Sequence, residues 1–146
     1  MKKIIISALL VALVVSLAGQ ISSPVGKWKT IDDETGKPKS VVILWEENGI
    51  LYGKIERLFR TPEEEQNPLC DECKGENKDK PIIGMTILEG LTIKNEVWSG
   101  GTILDPNNGK VYKCKIELIE SGKRMKLRGF IGFSLLGRTQ FWERIE

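Results

Sequence analysis

Three cysteines and no histidine bound the chemistry this chain can perform. The densest reactive pattern is Cys70-Asp71-Glu72-Cys73. Two thiols at that spacing can close a local disulfide, exchange electrons or supply two metal ligands. A zinc site needs a fourth strong ligand, and with no histidine the third cysteine, Cys114, leaves the set short. A redox site needs the motif at a helix start beside a strand. Here the flanks are Glu63-Glu64-Glu65 and Lys74-Gly75-Glu76, in a polar stretch that carries Pro62 and Pro68. A structural disulfide Cys70–Cys73 is therefore expected, with Cys73–Cys114 and Cys70–Cys114 as alternatives. The cysteine left over is expected to pack as a small buried hydrophobe.

Little else points to catalysis. The commonest general base is absent with histidine. Ser134 follows Gly132-Phe133 without the strand–turn–helix pattern of a hydrolase nucleophile. Asp105-Pro106-Asn107-Asn108-Gly109-Lys110 carries oxygen donors but lacks the closing glutamate of a calcium loop, so it reads as a turn. No catalytic residue, metal or cofactor is assigned, and a non-enzyme is expected.

Recognition is better supplied. Arg138, Gln140, Trp142 and Arg144 alternate along one face of the C-terminal segment, and Arg128 lies on the segment before it. A guanidinium pairs bidentately with a carboxylate, so Arg128 with Arg138 or Gln140 could hold an acidic head group. Tyr52, Trp98 and Tyr112 would add apolar wall, the tyrosines with a polar tip. The competing expectation is that these residues point outward, or pair across strands with Glu56, Glu96 and Glu117.

The elements that would position these groups read as strands throughout. Expected strands are Val25–Ile31, Ser40–Glu46, Ile50–Phe59, Pro81–Glu89, Glu96–Leu104, Val111–Ile119, Lys123–Ile131 and Arg138–Ile145. Asn48-Gly49 is a hairpin signal, and Gly90 is read as ending the fourth strand. Val111–Ile119 alternates with period two, the mark of a half-buried strand. The charged stretch Arg60 to Lys80 is the one long interruption, of a length that calls for a task or a staple. Eight short strands joined by tight turns indicate an all-β, eight-stranded antiparallel up-and-down barrel. Leu51, Ile55, Ile87, Ile116, Leu118 and Leu127 would face its interior.

Ahead of the barrel stands Met1-Lys2-Lys3, an apolar run Ile4–Leu17 and the small-x-small triplet Ser16-Leu17-Ala18. These are the parts of a cleavable signal peptide, residues 1–18, leaving a single domain over 19–146. The run is too short to be a spanning helix, so no stable membrane span is expected after cleavage. The whole chain has 22 basic and 20 acidic residues. Loss of Lys2 and Lys3 leaves the mature domain balanced in side-chain charge, with no field for nucleic acid. A periplasmic or secreted location follows, an oxidising setting in which disulfides persist.

Gly26-x-Trp28 resembles the lipocalin signature, in which a tryptophan closes one barrel end under an arginine from the last strand; Trp142, Arg138 and Arg144 are the matching candidates. The chain more broadly resembles DUF2147, a family of small exported bacterial proteins. That resemblance rests on Gly26-x-Trp28, Cys70-x-x-Cys73, Pro81-Ile82-Ile83-Gly84, Trp98-Ser99-Gly100-Gly101, Asp105-Pro106-x-x-Gly109-Lys110-x-Tyr112, Leu127-x-Gly129 and Gly137-Arg138-Thr139-Gln140-x-Trp142-x-Arg144. It implies a lipocalin-like barrel in the envelope or outside the cell, with Trp28, Trp142 and Arg144 plugging one end. The expected function is to bind a small apolar or amphipathic, fatty-acid-like molecule. The alternative is an envelope protein-interaction module with a filled barrel core and the Arg60–Lys80 loop as contact surface.

Overall fold

The computed structural model describes residues 23–146 apart from Ser134. The expected signal peptide at 1–18 and the reading of Ser134 lie outside the described residues. Eight strands follow in order: β1 (Gly26–Ile31), β2 (Pro38–Glu47), β3 (Ile50–Leu58), β4 (Thr86–Lys94), β5 (Val97–Asp105), β6 (Lys110–Ile119), β7 (Arg124–Phe130) and β8 (Gly137–Arg144). Each pairs with its neighbours in sequence, and β8 returns to β1, giving one closed antiparallel barrel. Short 3-10 turns at Gly75–Asn77 and Glu120–Gly122 are the helical elements among the described residues. No helix there is long and apolar enough to cross a membrane.

The period-two pattern sets which side chains enter. In β3, Leu51, Gly53 and Ile55 are buried, while Lys54 and Glu56 are exposed. In β7, Met125 and Leu127 are buried and Lys126 is exposed. In β2 and β3 the hairpin turn is Asn48-Gly49, both at positive φ, which matches the twist of the strands it joins.

The fourth strand departs from its expected limits. Pro81–Met85 belongs to the preceding loop, and the strand runs five residues further, to Lys94. Gly90 does not end it. It sits mid-strand at a φ of +78°, where the chain packs so close to β5 that a Cβ at Gly101 would overlap the backbone at Glu89, Gly90 and Leu91. The true turn is Asn95-Glu96, both at positive φ. Glu96 is thus a turn residue and not the start of β5.

The barrel's two ends differ. One carries the β2–β3, β4–β5 and β6–β7 turns, the start of β1 and the end of β8. It is filled: Trp28, Leu44, Leu51, Leu91, Ile116 and Met125 are all buried. Gly53 serves this packing, because a Cβ there would strike the Leu44 side chain. The other end carries the β1–β2 turn, the β3–β4 loop, the β5–β6 turn and the β7–β8 loop, and it is hollow.

Candidate functional site

A cavity of about 660 Å³ opens at the hollow end. Its wall is apolar in depth, from Ile55, Ile87, Ile103, Leu127 and Trp142, and polar near the rim, from Lys39, Arg60, Asn107, Tyr112 and Arg138, with Gln140 as a polar group level with Leu127. The volume falls in the range of small-molecule sites, as does the combination of apolar wall and a few polar groups. A filled core describes only the closed half of the barrel.

Glycine makes part of this space. Gly129 faces inward on β7, and a Cβ added there would meet Tyr112 Cβ at 3.6 Å and Ile103 Cγ2 at 3.8 Å, which is ordinary contact. Its missing side chain leaves room that a larger residue would occupy.

One polar spot lies inside the wall. The Thr30 and Ser40 hydroxyls are 2.7 Å apart, and the Ser40 amide donates to Thr30 Oγ1 at 3.1 Å. Both residues are buried and line the cavity. Gln140 Oε1 accepts a long bond from the Trp142 indole N–H at 3.4 Å. Tyr112 Oη accepts from Asn108 Nδ2 at 3.0 Å, which fixes the phenol at the rim. Sequence reasoning did not single out Thr30, Ser40, Lys39 or Arg60. The alternation in β1 placed Thr30 on the same face as Trp28, and that signal could have found it.

The long loop forms one lip of the opening. Cys70 and Cys73 are joined in a disulfide, and Cys70 Sγ lies 3.4 Å from the Pro106 carbonyl in the β5–β6 turn. Gly109, at φ +69°, lets the turn press against the loop, since a Cβ there would overlap the Glu72 carbonyl. The staple thus holds Arg60, Glu64 and Ile82 against the cavity. Arg60 pairs with Glu64 at 3.6 Å. Cys114 is the remaining thiol, buried on the inner face of β6. Burial alone pushes its pKa up to about 12.

The residues singled out from sequence for ligand binding divide into three groups. Tyr112, Arg138 and Gln140 lie at the cavity. Tyr52 does not: it is on the outer face of β3, stacked on Trp45 with ring centres 5.7 Å apart. Its neighbours Leu51 and Gly53 take the inward positions, so the strand's period sends Tyr52 outward. Trp98 is buried among the closed-end core residues and does not line the cavity. Arg128 also points outward, where it donates to Thr139 Oγ1 at 2.9 Å and to the Leu135 carbonyl at 3.2 Å. The pairing of Arg128 with Arg138 or Gln140 around one head group is therefore not formed. Of the expected interior residues, Ile55, Ile87 and Leu127 line the cavity, Leu51 and Ile116 fill the closed end, and Leu118 is only half-buried against the core.

Arg138 carries a partner at the rim. Its guanidinium forms a bidentate ion pair with Asp33 in the β1–β2 turn. The bond holds the Asp33 carboxyl below its ordinary pKa of 3.8 and raises that of Arg138. This pair spans a seam. Strands β1 and β8 are in register at only Trp28↔Arg144 and Lys29↔Glu143, whereas β7 and β8 pair from Arg124↔Glu143 to Phe130↔Gly137. Toward the opening the seam is bridged by the Asp33–Arg138 side chains.

At the opposite end Arg144 lies over Trp28, which is fully buried. Trp28 donates its indole N–H to the Pro24 carbonyl at 2.8 Å. Trp142 is buried beneath the cavity and forms part of its floor.

Comparison with known proteins fits this geometry. No curated protein matches the sequence. Among solved structures the barrel is similar to protein HP1028 from the human pathogen Helicobacter pylori, described as belonging to the lipocalin family. The TM-score is 0.71 at 17% identity, over 85% of this chain and 84% of that one. At that identity the likeness concerns the fold, which is lipocalin-like. The profile of a family described as uncharacterized protein conserved in bacteria matches residues 26–144. With nearly the whole barrel matched, the chain belongs to the DUF2147 family.

Proposed function

We propose that this protein is an exported, non-catalytic binding protein that holds a small apolar or amphipathic molecule, fatty-acid-like in character, inside the barrel. The observation that carries this reading is the 660 Å³ cavity, apolar in depth and polar at its rim. An apolar tail would displace water from Ile55, Ile87 and Leu127, and burial of apolar surface supplies roughly 25 cal/mol per Å² before the costs of binding. A polar head would remain at the rim, near Lys39, Arg60 and Tyr112. Arg128 has no place in this arrangement. The disulfide supports a location outside the cytoplasm, where such bonds persist.

Native mass spectrometry of the protein purified from the exported fraction tests this reading, together with melting curves across a panel of fatty acids. A bound mass removed by organic extraction, and stabilisation on re-addition, are expected. A clean apo mass with no shift in melting across the panel would overturn it.

A further inference from the structure

The β7–β8 loop is built unlike the other three at the open end. It presents Ile131, Phe133, Leu135 and Leu136 to solvent, at 61, 78, 90 and 71% exposure. Isolated apolar residues on a surface are ordinary, but four exposed ones close together in a single loop are not. The described backbone of this tip is partly satisfied from within. The Leu136 amide donates to the Phe133 carbonyl at 2.9 Å, and Arg128 donates to the Leu135 carbonyl. Internal partners of this kind lower the cost of entering a medium without water.

The sheet face leading to this tip is basic. Lys113 and Lys115 on β6 stand in register with Phe130 and Arg128 on β7, and Lys126 follows on the same outer face. Glu117 stands opposite Lys126 and is the one acid within this group. Among the described residues, Lys113, Lys115 and Lys126 have no carboxylate within ion-pair distance. The acidic residues Asp32, Asp33 and Glu34 lie in the β1–β2 turn, across the seam from β8. Of these, Asp33 is already paired with Arg138, which offsets its charge.

We propose that the exposed apolar residues Ile131, Phe133, Leu135 and Leu136 and the basic β6–β7 face dock together onto an anionic lipid bilayer, with Phe133 and Leu135 entering the interface. An apolar tip beside a cationic face is the pairing that anionic lipid surfaces attract. The loop is also continuous with the cavity, whose wall includes Ile131, Leu136 and Gly137. Docking there places the β7–β8 side of the cavity next to the bilayer. Bilayer docking of this kind is distinct from ligand binding and needs no ligand in the cavity.

Co-sedimentation of the exported protein, its mass checked for loss of the leader, with vesicles of phosphatidylcholine alone or with added phosphatidylglycerol tests the proposal. Binding is expected to anionic vesicles, to weaken in high salt, and to be much weaker on neutral vesicles. Phe133→Ser with Leu135→Ser should abolish it while leaving melting unchanged, since both side chains are exposed. Lys113→Gln with Lys126→Gln should weaken it by about 25-fold, at roughly fivefold per cation. Failure to bind anionic vesicles, equal binding to neutral ones, or wild-type binding by both double variants would overturn the proposal. So would a dimer in solution that the Phe133/Leu135 variant dissolves without any vesicle binding, which would assign the loop to a second copy of the chain.

Discussion

Arg144 holds its guanidinium 4.3 Å from the centre of the Trp28 ring and, from that position, donates to the carbonyls of Gly122, Val25 and Ser23. One side chain from the end of the barrel thus caps the first strand's tryptophan and ties down the segment before it. The bonds to Gly122, Val25 and Ser23 are 2.7, 2.9 and 2.6 Å long. A cation over an indole contributes about 0.5–2 kcal/mol, and hydrogen bonds from a charged donor add more.

Removing either partner should destabilise the fold without touching the cavity wall. Trp28→Ala is expected to cost about 3–5 kcal/mol, the range for deleting a large buried aromatic. Arg144→Ala is expected to cost about 2–4 kcal/mol. Arg144→Lys should recover only part of it, because an ammonium cannot reproduce the planar fork. Urea unfolding followed by tryptophan fluorescence measures all three; wild-type midpoints for Trp28→Ala would contradict the structural role.

The Asp33–Arg138 pair gives stability a defined pH dependence. The folded carboxyl titrates below the ordinary 3.8, chiefly because Arg138 hydrogen-bonds to it. The unfolded chain therefore takes up the proton first as pH falls. The pair's contribution is fully present above about 3.8 and is lost as pH drops through the lowered folded value. Both side chains are more than a third exposed, so the contribution is held to about 0.2–1 kcal/mol. Asp33→Asn should show this deficit at pH 6, and the gap to wild type should close in acid. A gap that persists at pH 2 would mean that the pair is not its source.

Cys114 should be inert in the native state. Its thiol is buried, and with a pKa near 12 almost none of it is the reactive thiolate at neutral pH. A thiol reagent at pH 8 is expected to titrate no cysteine in the folded protein and one per chain in denaturant, the other two being joined. Rapid native labelling would show that β6 opens.

Filling the cavity from Gly129 separates ligand binding from folding. Gly129 does not adopt the left-handed conformation that penalises other residues, and a Cβ fits there. Gly129→Leu should keep the fold within about 1 kcal/mol while weakening a fluorescent fatty-acid probe roughly tenfold or more, since extra methylenes would compete for the same space. Unaltered probe affinity would place its site elsewhere.

Much of the barrel was legible in the sequence because strands announce themselves by period and turns by residue type. Asn48-Gly49 marked its hairpin correctly. Asn95-Glu96 adopts the same kind of turn, yet glutamate is a poor signal for positive φ, and Gly90 five residues earlier gave a stronger but false one. A glycine required for strand-to-strand approach looks, in one sequence, like a glycine required for a turn. The site was less legible. Tyr52 and Arg128 were placed on the correct strands, but which face lines the cavity depends on register. Nor does period reveal whether an inward face meets packed side chains, as at Trp98, or open space, as at Tyr112. That distinction rests on glycines such as Gly53 and Gly129, one admitting a neighbour and the other leaving a hollow.

The seam between β1 and β8 has a consequence for how the barrel comes together. Of its eight strand junctions, seven join neighbours in sequence, six through short connections and one, β3 to β4, across the long stapled loop. The eighth must bring together segments more than a hundred residues apart, at the full entropic cost of closing that loop, and it gains only two residue pairs in register. Ring closure is therefore the natural late event of folding. The Arg144–Trp28 contact acts as its clasp, forming only when the first and last strands have met.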